Sequence, residues 1–312
     1  MVKRGEVLEI QVLTAPFVGL GEGPIWDVEE QRLYWVDFFE GNYFRSTADG
    51  REVQVRKFPL QGTLSSLALR AGGGAIVTLG TQILLFDTET GETEQLIDVA
   101  ETGVTFFNDS KVDRQGRFVT GTVDLGLLDH VGSEPVGQIK PPCIIYRVDA
   151  DRSVHQLADG IGFTNGPAFS PDGSVFFVND SWAQCIYAYD YDTVTGAASN
   201  RRVVTKFDEP GVVPDGATVD EEGFIWVAAF HGGEIRRYAP DGALDRRIAM
   251  PVAKLTSVAF GGENLDVLFV TTMGSTLVPG RDASAPVPPL GGSLFAVHGL
   301  GVRGVPEMRF AG

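Results

Sequence analysis

The chain is poor in groups for thiol or imidazole chemistry. Its 312 residues include two cysteines, Cys143 and Cys185, and four histidines. The cysteines lie far apart in no metal-binding or redox spacing, so two reduced, buried thiols are expected, with a single disulfide as the alternative. His130, His155, His231 and His298 share no ligand spacing, which argues against a histidine-built metal site, and His231 reads as a loop residue. No apolar run approaches the roughly 18 residues of a membrane span, and Met1 to Glu6 lead into no long apolar stretch. A cytosolic protein without a membrane partner is the expectation. Positive charge is also scarce: 25 Lys and Arg against 41 Asp and Glu leave a net charge of −16. Such a surface repels phosphates and anionic lipid, which disfavours nucleic acid as a partner; solubility alone accounts for the excess. Neither a nucleophile elbow nor a phosphate-binding glycine loop opening a helix is present, which argues against serine hydrolases and nucleotide enzymes. No helical period survives beyond a turn or so, and helices should be few.

What is abundant is glycine (39 residues) and aromatics, the composition of short strands joined by tight turns. A loop, strand, turn, strand module recurs, anchored at Glu22, Ser65, Asn108, Asn165, Asp215 and Thr256, with separations of 43, 43, 57, 50 and 41 residues. A period of 40 to 50 residues is the blade length of a β-propeller. Modules three to five are the clearest. Each opens on an oxygen-bearing residue (Asn108, Asn165, Asp215), turns at an Asp and a Gly (Asp113 and Gly116, Asp172 and Gly173, Asp220 and Gly223), and enters a strand rich in Phe, Val, Ile or Trp. The reading is all-β: one six-bladed propeller domain over 1–312. Residues 6–14 alternate apolar and polar without a partner of their own, and are assigned as the outer strand of the last blade, closing the ring. Residues 125–141 exceed the module plan, as a lid over a site or as a tolerated surface insertion, and 277–291 form a second such loop.

In a propeller the innermost strands run the same way around a channel, so residues that open them ring one mouth. Glu22, Asn108, Asn165 and Asp215 hold that position in modules one, three, four and five. Two carboxylates and two amide carbonyls are hard donors, suited to Ca²⁺, Mg²⁺ or Mn²⁺, while Zn²⁺ usually takes more nitrogen or sulfur. Paired negative charge at a narrow mouth is costly unless a cation offsets it. Against this, Asn and Asp are frequent turn residues in their own right. Asp113, Asp172 and Asp220 fall in the hairpin turns and are read as structural.

Gly21-Glu22-Gly23-Pro24-x-Trp26, Asn108-Asp109-x-Lys111-x-Asp113-x-x-Gly116-Arg117, Asn165-Gly166 and Pro214-Asp215-Gly216 together resemble the senescence marker protein (regucalcin)/gluconolactonase family, over roughly residues 18–275. The resemblance implies a six-bladed propeller with one divalent cation in the channel, Ca²⁺ preferred and Mg²⁺, Mn²⁺ or Zn²⁺ as alternatives. It implies Glu22, Asn165 and Asp215 as metal ligands, Asp215 also as general base, Asn108 as a substrate contact, and hydrolysis of a small lactone. Where sugar-lactone members tend to read Arg-x-Asn-Asp-Gly, this chain has Phe106-Phe107-Asn108-Asp109-Ser110. If Phe106 faces the pocket, it favours a less polar substrate, with Leu125, Leu127 and Leu128 in the same spirit. Hydrolysis of another ester or a phosphotriester at the same metal, and a propeller that binds a partner without catalysis, stand as the alternatives.

Overall fold

The computed structural model describes residues 7–14, 19–126, 143–274 and 289–312. They form six four-stranded antiparallel sheets, and helical conformation among the described residues is confined to short 3₁₀ stretches at Ala100–Thr102 and at residues 125 and 126. The inner strands are Gly21–Asp27, Leu64–Leu69, Phe106–Val112, Thr164–Phe169, Val213–Val219 and Leu255–Gly261. Each is followed in sequence by the second, third and, in five blades, fourth strand of its own sheet. The sixth sheet takes its outer strand from the other end of the chain: Glu9–Val12 pairs antiparallel with Phe295–His298, from Glu9 opposite His298 to Val12 opposite Phe295. The six-bladed propeller and the closing strand expected from 6–14 are thus observed.

Burial explains the pattern within each blade. The inner strand Leu64–Leu69 is buried throughout, whereas the outer strand Gln54–Lys57 is exposed throughout. The core lies between the sheets, where apolar faces of neighbouring blades meet. Trp226 of blade five packs edge-on against Phe260 of blade six, and Trp26 of blade one stacks on Phe269 of blade six. Truncating one such ring would cost about 3–5 kcal/mol.

Hairpin turns close the inner strands on the face away from the mouth. Asp113 accepts the backbone N–H groups of Gln115 and Arg117 and the hydroxyl of Tyr191. Asp220 accepts those of Glu222 and Phe224 and the indole N–H of Trp226. Asp172 accepts the N–H of Ser174 and the Ser170 hydroxyl. All three are structural, as read from the sequence. Cys143 and Cys185 are free and buried, and no helix among the described residues is long and apolar enough to cross a membrane. Apart from Leu125 and Gly126, the insertion at 125–141 lies outside the described residues, as does most of 277–291.

The C-terminal tail does more than complete a sheet. It crosses the turn face and ties distant blades together. Gly304 N–H donates to Leu265 O, Glu221 N–H to Arg303 O, and Ala311 N–H to Gly116 O. Arg309 pairs with Asp27. Phe310, fully buried, hydrogen-bonds through its backbone to Leu69 and Ala71. Beneath it Glu307 accepts from Lys111 at 2.8 Å, both side chains nearly buried.

Candidate functional site

The inner strands share a local irregularity that builds the site. In blades one, three, four and five the ladder slips so that two residues oppose one: between Glu22 and Ile25, Phe107 and Ser110, Asn165 and Ala168, and Pro214 and Ala217. Such bulges bend a strand and re-aim its side chains. The ladder separates the four sequence anchors into two pairs. Glu22 and Asn165 occupy the last regular pair before the slip, opposite Val36 and Asn179, while Asn108 and Asp215 are the first residues inside it. The one position assumed from sequence is therefore two positions in the ladder.

What the anchors share is how the preceding residue is held. Thr256 Oγ1 donates to Gly21 O at 2.5 Å, Ser65 Oγ to Phe107 O at 2.6 Å, and Asn108 Nδ2 to Thr164 O at 2.9 Å. Ser181 Oγ donates to Pro214 O at 2.6 Å. Each bond runs from one blade to the next and grips the carbonyl one residue before Glu22, Asn108, Asn165 or Asp215. A hydroxyl or amide on one blade thus positions the anchor of its neighbour. Asn179 Nδ2 adds a bond to Asp215 O.

Glu22, Asn108, Asn165 and Asp215 are all buried. Asn108 Nδ2 also donates to Asn165 Oδ1 at 2.5 Å, and Asn165 Nδ2 donates to Ser181 Oγ at 2.9 Å. Both amide nitrogens are spent on protein acceptors, so what the pair could offer a cation is the Asn108 oxygen and the second lone pair of the Asn165 oxygen, whose first takes the Asn108 N–H. Burial pushes the Glu22 carboxyl well above its ordinary range, and the negative charges of Asp215 and Asp109 push it further; only the Gly23 N–H opposes. Asp215 is raised well above its range by burial and then by Asp109.

Asp109 was quoted in the sequence motif without a role, and it belongs to this cluster. It is buried, its Oδ2 accepts the N–H of Gly166 at 3.0 Å, and burial raises its carboxyl against the pull of that bond and of Lys111. Its signal was its place beside Asn108. Three neighbouring carboxyls with depressed acidity are an electrostatic excess that a divalent cation would relieve. The donor chemistry fits a hard cation. Among the described residues no trio of His, Cys, Asp and Glu is set to hold a metal, so a cation here must draw on the amide oxygens of Asn165 or Asn108 beside Glu22 and Asp215.

Below the mouth the channel is narrow. A cavity of about 20 Å³ bounded by Gly23, Asp109, Lys111 and Ser257 has room for about one water. Around the mouth the wall is apolar. Phe106 is buried and packs edge-on against Phe38 at 5.1 Å, in a cluster with Val123 that Leu20, Phe39, Leu125 and Phe163 extend. Leu127 and Leu128 lie outside the described residues. His231 sits in a left-handed turn against Phe230, as a loop residue.

A family model described as the SMP-30/Gluconolactonase/LRE-like region matches residues 20–274. The chain belongs to that family. Within it, regucalcin of Gallus gallus is 34% identical over 299 residues, 94% of this chain and 95% of the relative. The structure of a luciferin-regenerating enzyme superposes with a TM-score of 0.82 at 31% identity, covering 97% of this chain and 99% of that one. A calcium-binding protein, regucalcin, from Agrobacterium tumefaciens gives a TM-score of 0.82 at 25% identity, with 96% of each chain covered. As a member of the SMP-30/gluconolactonase/LRE-like family, the chain carries Glu22, Asn165 and Asp215 on the inner strands of three blades, gathered at one mouth. The family frame therefore agrees in extent with the sequence resemblance.

Proposed function

We propose that this protein is a divalent-metal-dependent lactonase, with Glu22, Asn165 and Asp215 as the ligand set and Asp215 also the general base. The observation that carries the reading is the buried, mutually repelling group of Glu22, Asp215 and Asp109 beside oriented amide oxygens, on a lactonase-family propeller. A bound divalent cation, Ca²⁺ by preference, supplies a Lewis acid for the lactone carbonyl. Asp215 takes a proton from the attacking water as the water oxygen bonds to the carbonyl carbon; the ring C–O bond then breaks, and the proton returns from Asp215 to the ring oxygen, giving the open hydroxy acid. Asn108 contacts the substrate, and Phe106 with its aromatic neighbours offers an apolar wall. We place the reaction in the cytosol, on the absence of a long apolar segment.

The apolar wall favours a second reading at the same residues: a hydrophobic ester or a phosphotriester in place of a sugar lactone. A propeller that binds a cation without catalysis is the third. The test is a panel of sugar lactones, alkyl lactones, aryl esters and a phosphotriester, assayed after dialysis against chelator and again after Ca²⁺, Mg²⁺, Mn²⁺ or Zn²⁺ is restored. Lactone opening that vanishes with chelation and returns with one cation is expected. Full activity in chelator would refute the metal role. Activity confined to the esters would shift the substrate class, and calorimetric Ca²⁺ binding without turnover would favour the third reading.

A further inference from the structure

Lys111 brings a positive charge into the channel directly below the acidic cluster. It lies two residues beyond Asp109 on the inner strand of blade three, past the bulge. Both side chains border the cavity of about 20 Å³, whose other polar side chains are Ser66, Ser110 and Ser257. Asp109 and Lys111 are thus the charged groups that face it. An ammonium paired with Asp109 would neutralise the charge that Asp109 adds to Glu22 and Asp215.

The ion pair is made in the other direction. Lys111 Nζ donates to Glu307 Oε1 at 2.8 Å, and both side chains are nearly buried. Glu307 borders a second, smaller cavity of about 10 Å³ on the floor side, together with Lys111, Arg114 and Thr218. Its place is fixed from several sides. Arg114 Nη1 donates to Pro306 O at 3.0 Å, the Thr218 hydroxyl donates to Glu307 Oε1 at 3.4 Å, and buried Phe310 anchors the tail three residues on. Even from the floor the ammonium is felt above. Burial raises the Asp109 carboxyl, and the Gly166 N–H and then the Lys111 charge oppose that rise. A lysine carries a point charge on a flexible four-carbon stem, so its partner decides where the charge sits.

We propose that the C-terminal tail tunes the cation site. Glu307 holds the Lys111 ammonium at the channel floor and so keeps the charge of Asp109 available to a cation on Glu22, Asn165 and Asp215. Lys111 and Glu307 are positioning residues that act through Asp109. Resting on the cation site proposed above, this coupling gives the two members of one ion pair opposite effects. Loss of the Glu307 carboxylate frees the ammonium to move toward Asp109, and cation binding weakens. Loss of the ammonium leaves Asp109 unopposed, and cation binding tightens. A merely structural ion pair predicts one direction for both changes, since either breaks the same contact.

The experiment is calorimetric titration of the full chain, freed of metal by chelator, with Ca²⁺, Mg²⁺, Mn²⁺ and Zn²⁺ in turn. The variants are then compared on the cation that the parent binds most tightly, with a melting temperature for each sample. Glu307→Gln should weaken binding by about threefold or more, and Lys111→Met should tighten it by about as much. In the Lys111→Met background, Glu307→Gln should weaken binding far less than it does in the parent, because the ammonium it restrains is gone. Lys111→Met leaves Glu307 nearly buried without its partner, whereas the double variant leaves neither charge unpaired. The double variant therefore decides the matter if the single one unfolds, and it should bind the cation more tightly than Glu307→Gln does. A folded Lys111→Met that binds no more tightly than the parent, a Glu307→Gln as tight as the parent, or a double variant as weak as Glu307→Gln would overturn the proposal. A parent chain that binds none of the four cations would instead refute the cation site itself, and the coupling with it.

Discussion

Asp215 and Asp109 are separate tests of the same cluster, because one is read as a ligand and base and the other touches Gly166. Asp215→Asn keeps the shape and the Asn179 bond to the backbone, so its melting temperature should stay close to the parent's. Its kcat should fall by about 10²- to 10⁴-fold, as expected for loss of a general base. Asp109→Asn should act differently. It removes a charge that raises both Glu22 and Asp215, and it replaces the acceptor of the Gly166 N–H with an amide oxygen. Weaker cation binding with the fold retained is the expected calorimetric result. Equal cation affinity in parent and variant would remove Asp109 from the site's electrostatics. Phe106 was legible in the sequence as a departure from the family's Arg. Its packing partners, Phe38 of blade one and Phe163 of the link between blades three and four, could not be read from the motif.

At the scale of the element, the bulged inner strand is the device that matters. Gly166 lies at φ +47°, and a Cβ there would meet Asn179 Nδ2, Asp215 O and the Ala217 side chain, all closer than 3 Å. Gly166→Ala should therefore destabilise by roughly 1–3 kcal/mol or more. It should also displace Asp215, so activity should fall further than stability alone predicts, as denaturant titration and kinetics on the same sample would reveal. Bulges of this kind were invisible in the repeat alignment. The oxygen residue was expected to open its strand, but Glu22 and Asn165 are second and Asn108 and Asp215 third in theirs. A bulge changes the pairing without changing residue types, so spacing alone carries no trace of it. The closing strand was legible because its alternation had no local partner, and a half-buried strand needs one. Its detachment should loosen blade one and blade six together, Leu13 N–H being bonded to Leu294 O of blade six while its side chain packs on the cluster that holds Trp26 and Leu33 of blade one.

The whole ring is held from both sides: at the mouth by side-chain bonds from blade to blade, on the other face by the C-terminal tail. Phe310 is fully buried against Phe118 of blade three and bridged to Arg70 of blade two. Phe310→Ala should cost about 3–5 kcal/mol, measured by urea denaturation, although the residue is remote from the site. A second whole-molecule prediction concerns alkaline pH. Burial pushes the Cys143 thiol up to about 12 and that of Cys185 to about 11. In the unfolded chain both ionise from about pH 8.5, so the unfolded state loses protons first and stability falls as pH rises above that value. Each thiol should remove about 1.4 kcal/mol by about pH 9.5, and a Cys143→Ala, Cys185→Ala double variant should show a shallower decline. Parallel stability curves for parent and variant would contradict the assignment.

The sequence by itself determined the all-β class, the count of six blades, the closing strand and the identity of the oxygen residues. Each of these rests on period, alternation or residue type, and those are local properties of a chain. The meeting of those residues was decided only by the tertiary structure. A hydroxyl or amide on one blade grips the carbonyl before the next blade's anchor, bulges redirect the side chains, and Asp109 adds its charge to theirs. So was the second face, where a tail with no strand pattern holds the channel floor through Lys111 and Glu307. Contacts between residues as far apart as Thr256 and Gly21, or Lys111 and Glu307, leave no periodic mark on the sequence, because they exist only once the ring has closed.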